Sequence, residues 1–78
     1  TLTPNPVADY LNVNISEGRY THCTAKIVNS RGEVVFQKND FTLEKRMSIY
    51  CNQLASGIYF LVLENNQFKQ IEKFIKTP

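Results

Sequence analysis

Apolar residues in this chain recur at every second position, and that spacing constrains the fold more than any other feature. Leu11, Val13 and Ile15 alternate with Asn12 and Asn14. A strand places successive side chains on opposite faces, so this pattern predicts a half-buried β-strand. Cys23, Ala25 and Ile27 share one phase, while His22, Thr24 and Lys26 share the other. Met47, Ile49 and Cys51 repeat the pattern against Ser48, Tyr50 and Asn52. The apolar positions are rich in β-branched and aromatic residues, which suit a pleated surface. No segment carries a helical period.

Turn residues divide the pattern into short pieces. Glu17-Gly18, Lys38-Asn39-Asp40, Leu54-Ala55-Ser56-Gly57 and Asn65-Asn66 each interrupt it. Asn29-Ser30-Arg31-Gly32 reads as a tight turn, with Gly32 free to take positive φ, so residues 20–37 read as a hairpin. Glu44-Lys45-Arg46 reads as a solvated turn of mixed charge. The strands expected are 11–15, 20–28, 33–37, 41–43, 47–51, 58–63 and 68–76. About seven short strands with turns at this spacing predict an all-β fold, an immunoglobulin-like antiparallel β-sandwich in preference to a small barrel. Residues 1–6, with Pro4, Asn5 and Pro6, read as the end of a linker, and residues 7–78 as the sandwich domain.

Size and charge narrow the function. A chain of 78 residues is one domain. Such a chain buries only about 60% of its unfolded surface, so a catalytic cavity would remove core it can hardly spare. Nine basic and seven acidic side chains are nearly balanced, and no basic stripe marks a nucleic-acid partner. No apolar run approaches the ~18 residues of a membrane span, so no stable membrane insertion is expected. Cys23 and Cys51 fit no metal spacing and read either as two buried thiols or as one disulfide between sheets.

Chemistry is sparse. His22 is the one histidine and falls on a polar phase, so no metal site is expected. No serine lies in a nucleophile motif, and Gly18, Gly32 and Gly57 are too dispersed to cradle a phosphate. No enzyme, cofactor or catalytic residue is expected.

Two segments depart from simple alternation. Residues 58–63 are six apolar residues in a row, so either Ile58, Phe60 and Val62 or Tyr59, Leu61 and Leu63 must face outward. That face is either covered by long neighbouring side chains or serves as a docking patch. In the last strand Phe74 and Ile75 are adjacent, point to opposite faces, and are flanked by Lys73 and Lys76. Such a strand is either a lysine-guarded edge or a segment that a receptor reads.

Four segments, in order along nearly the whole chain, together resemble one family. Pro4-Asn5-Pro6-Val7-Ala8-Asp9-Tyr10-Leu11-Asn12-Val13 is similar to the opening of the type A C-terminal sorting domains of type IX secretion in the Bacteroidota. The hairpin around Gly32 resembles the family's middle segment. Leu54-Ala55-Ser56-Gly57-Ile58-Tyr59-Phe60-Leu61 is similar to its L-x-x-G-x-Y signature, and Lys73-Phe74-Ile75-Lys76 to its closing strand. The resemblance implies a domain fused to the C-terminus of a cargo protein. It implies passage through the periplasm, recognition by the secretion machinery and delivery to the outer membrane surface or medium. It also implies, in most members, removal by a surface sortase-like peptidase.

Within that reading, Lys73, Phe74, Ile75 and Lys76 are the expected contacts with the machinery, together with the exposed face of residues 58–63. Pro4, Asn5, Pro6, Gly32, Leu54, Gly57 and Tyr59 are expected to serve the motif and fold. Tyr59, two residues past Gly57, is placed like a corner tyrosine whose hydroxyl bonds to upstream backbone. An edge strand leaves pairing between copies open. The competing readings are a surface adhesion or carbohydrate-binding module, which needs Tyr10, Tyr20 and Tyr50 in one exposed row, and a plain spacer.

Overall fold

The structure, a computed structural model, describes residues 2–3 and 7–78. It is all-β, as the alternation predicts, and antiparallel between its strands. The strands are β1 (Leu2–Thr3), β2 (Tyr10–Asn29), β3 (Val34–Tyr50), β4 (Gly57–Glu64) and β5 (Lys69–Lys76). They form one five-stranded sheet in the order β1-β2-β4-β5, with β3 paired along the other side of β2.

Five strands stand where about seven were expected. Segments 11–15 and 20–28 are one strand, β2, and segments 33–37, 41–43 and 47–51 are one strand, β3. The intervening residues that looked like turns are bulges. Asn14 pairs with Arg46 and Arg19 with Glu44, so residues 15–18 of β2 oppose Lys45 alone. Gly18 (φ +99°) and Lys45 (φ +46°) take the positive φ this mismatch demands. Glu44-Lys45-Arg46 therefore lies inside a strand, and Arg19 Nε donates to Glu44 Oε1 at 2.6 Å across it. Two opposite one-residue shifts flank Cys23↔Phe41: residues 21–22 of β2 oppose Thr42 alone, and Thr24 then opposes Asn39 and Asp40 together. There His22 (φ +54°) and Asp40 (φ +51°) carry the strain, and their side chains meet at 2.7 Å in solvent.

The bulges bend the long β2–β3 hairpin, because each extra residue sharpens the local twist. The N-terminal part of β2 pairs with β1 and the end of β3, while its C-terminal part pairs with β4 and the start of β3. The two parts enclose one core. Leu11, Val13, Cys23, Ala25, Ile27, Leu43, Ile49, Leu61 and Phe74 belong to it. A thinnest extent of 16 Å leaves room for two backbone layers about 10 Å apart.

The turns follow the sequence closely. The Asn29 side chain accepts from the Arg31 and Glu33 amides, both at 3.0 Å, and Gly32 (φ +86°) completes the reversal. Asn65 organises the β4–β5 turn the same way, accepting from Gln67 N at 2.8 Å and Phe68 N at 3.1 Å. Residues 52–56 make the corner before β4, where Leu54 packs half-buried against the core.

Candidate functional site

The closing strand takes its geometry from β4. Ile58 pairs with Ile75, Tyr59 with Phe74, Phe60 with Lys73 and Val62 with Ile71. Alternation then divides both strands into an inner and an outer face. Tyr59, Leu61 and Leu63 are buried, so Ile58, Phe60 and Val62 face outward from β4.

This division splits the four expected contact residues. Phe74 (0% exposed) and Lys76 (5%) turn inward, whereas Lys73 and Ile75 (45%) face solvent. The Phe74 ring stacks on Tyr59, with centroids 5.7 Å apart and planes at 21°. The Tyr59 hydroxyl donates to Ala55 O at 2.6 Å, fixing the ring to the corner that precedes β4. Lys76 Nζ donates to Thr77 O at 2.6 Å, so its ammonium keeps a hydrogen bond within a buried setting. Gly57, opposite Lys76, has φ +155°, and nothing crowds a Cβ built there, so its role is conformational.

Val7 closes the outer edge of β5, which sequence reasoning did not anticipate. Its amide donates to Ile75 O at 2.7 Å, and its carbonyl accepts from Thr77 N at 2.8 Å and Thr77 Oγ1 at 3.2 Å. The bridge to Lys76 is parallel, and the Val7 side chain is fully buried. Cys51 N donates to Asp9 O at 2.6 Å, tying the same segment to the end of β3. Nothing local in the sequence signals a contact spanning most of the chain. Pro4, Asn5 and Pro6 lie outside the described residues.

The outer face extends past β4 and β5. Val28 of β2 pairs with Phe60 on one side and Val34 of β3 on the other. Lys26 pairs with Val62 and reaches Glu64 at 3.7 Å. The signal for this surface was present in the odd positions 69, 71, 73 and 75, but Phe74 beside Ile75 obscured the phase.

The structure decides two other expectations. Tyr10 and Tyr50 form an exposed tilted pair with centroids 5.1 Å apart, but Tyr20 is half-buried against Phe68. The row of three tyrosines is therefore broken, and the carbohydrate-binding alternative gains no support. Cys23 and Cys51 are free buried thiols. Burial pushes both thiols above the ordinary value of 9.0, partly offset by backbone hydrogen bonding at Leu43 and Leu11 respectively and, for Cys51, by the Lys76 charge. Among the described residues no group of His, Cys, Asp and Glu could hold a metal ion. Among the described residues no helix is long and apolar enough to cross a membrane.

Comparison with known proteins matches the chain to one family model. The secretion system C-terminal sorting domain covers residues 1–77. None of the curated proteins matches the chain. With a match over almost its whole length, this chain belongs to the family of C-terminal sorting domains that act as signals for type IX secretion.

Proposed function

We propose that the folded domain is read on the outer face of β4 and β5, with Lys73 and Ile75 as direct contacts. Phe74 and Lys76 act from beneath, holding the strand so that its alternate side chains are presented. The observation that carries this reading is the split of the closing strand. Phe74 and Lys76 lock into the core, while Lys73 and Ile75 stand on an intact sheet face. An extended segment held by its neighbours needs no ordering when a receptor docks, so less binding energy is lost to entropy.

On this reading the domain catalyses nothing and is itself the substrate of transport. Its cargo is fused N-terminal to the domain through a linker. A surface sortase-like peptidase cuts that linker, near or before Thr1, after transit through the periplasm. The two halves of the bent sheet act as the layers of an immunoglobulin-like sandwich.

Fusion of residues 1–78 to a periplasmic reporter in a type IX host tests the reading. Export is expected for the native sequence and a sharp fall for Lys73→Glu with Ile75→Ser, with the domain still folded in thermal melting. Native export of that double variant would refute the assignment of these contacts.

A further inference from the structure

The outer face is larger and more specific in its chemistry than the closing strand alone. Across β2, β4 and β5 it presents Val28, Ile58, Phe60, Val62, Ile71 and Ile75, with Ile71 at 56% exposure and Ile58 at 46%. Val34 extends it onto β3. Seven outward apolar positions, on strands about 4.8 Å apart and about 6.7 Å apart along each strand, give an apolar patch on the order of 200 Å².

Charge decides what covers it. The face carries Lys26, Lys69 and Lys73 against a single carboxylate, Glu64. That carboxylate lies 3.7 Å from Lys26. Among the described residues neither Lys69 nor Lys73 has a carboxylate within ion-pair distance. Both sit on the β5 margin of the patch, spaced by Ile71.

We infer that this face docks on a protein surface bearing an apolar strip flanked by carboxylates placed to meet Lys69 and Lys73. The inference rests on the reading above and adds the chemistry of the partner. A second copy of the chain is a poor occupant. Face-to-face pairing would offer these lysines mainly apolar or basic side chains, with Glu64 as the one carboxylate on the face, and like charges in an interface are costly. The patch is also well short of the roughly 800 Å² that each side of a standard interface buries. It is therefore the centre of a larger contact, with the charged margin fixing orientation. An anionic bilayer offers negative charge too, but two lysines attract it only weakly, and this face carries no tryptophan or exposed tyrosine at its rim.

The test uses the full 78-residue chain fused to a periplasmic reporter in a type IX host. Lys69→Glu with Lys73→Glu is expected to lower export about tenfold or more, while Lys69→Arg with Lys73→Arg holds it near native. Ile71→Ser with Ile75→Ser lowers export as well, and Tyr50→Ser, remote from the face, does not. Carbodiimide, which joins an amine to a carboxylate in contact, is expected to link the native chain to a machinery protein and to fail with the Arg pair. Thermal melting verifies that each variant is folded.

Failure of the native fusion to leave the periplasm would sink the sorting reading itself. Native export retained by both the Glu pair and the Ser pair would leave that reading standing and overturn this face. Lysine-dependent binding to vesicles containing phosphatidylglycerol, without the carbodiimide link, would overturn a protein partner in favour of lipid. A dimer in sedimentation that Ile71→Ser disrupts would overturn it in favour of a second copy.

Discussion

Adjacent residues of the closing strand offer a direct test of the inner and outer assignment. Phe74 is fully buried and stacked on Tyr59, while its neighbour Ile75 is 45% exposed. Truncating a buried Phe to Ala typically costs about 3–5 kcal/mol, from lost transfer energy and the cavity left behind. A domain of this size has only about 4–12 kcal/mol in total. Each kcal/mol lowers the melting temperature by roughly 4–8 °C at this length, so Phe74→Ala is expected to fall by at least about 12 °C.

Ile75→Ser removes a side chain that is only half buried. Full burial of Ile stabilises by roughly 1.5–3 kcal/mol, so about 1 kcal/mol is at stake. Urea unfolding of both variants measures the difference, with unchanged slopes establishing that the midpoints report stability. The export assay should rank them differently. Phe74→Ala loses export in step with its folded fraction, whereas Ile75→Ser loses it while folded. Equal stability losses in the two variants, or an unshifted Phe74→Ala midpoint, would refute the assignment.

Other consequences follow from the same geometry. Tyr59→Phe keeps the stack on Phe74 but leaves Ala55 O without its donor, and should cost about 1 kcal/mol in urea unfolding. Gly57→Val places a β-branched residue at φ +155°, and calorimetry should record a loss of about 1–3 kcal/mol, with export falling alongside the folded fraction. Deleting residues 74–78 removes Phe74 together with the Thr77 bonds to Val7, so circular dichroism should record unfolding as well as lost export. The buried thiols make stability pH-dependent. Their folded pKa values lie above the unfolded ones, so their contribution is complete below the ordinary value of 9.0 and declines as pH rises past it. The urea midpoint should drop over that range, and replacing Cys23 and Cys51 with Ala should flatten the slope.

Much of the fold is legible in the alternation. The phases of residues 11–15, 23–27 and 47–51 carry straight into the core, and Asn29 and Asn65 act as their turn chemistry implies. What misleads is that bulges and turns draw on the same residues. Gly18 and Asp40 look like strand ends because both tolerate positive φ, and a bulge needs the same φ without ending the strand. The count of seven strands fails for that reason alone.

The recognition face is half legible. Six apolar residues at 58–63 require an outer apolar face but do not say which phase faces out; pairing with Phe74 and Ile75 settles it. The joining of Val7 to the last strand is not legible at all, since no local pattern encodes a parallel bridge between the two ends of a chain.

The most direct measurement is protease shaving of intact cells that carry the reporter fused to residues 1–78, with and without a working type IX machinery. A signal read as a folded module predicts reporter digested at the surface, or recovered from the medium, only where the machinery works. Reporter sealed in the periplasm of both strains, attached to a natively folded module, would contradict the claim.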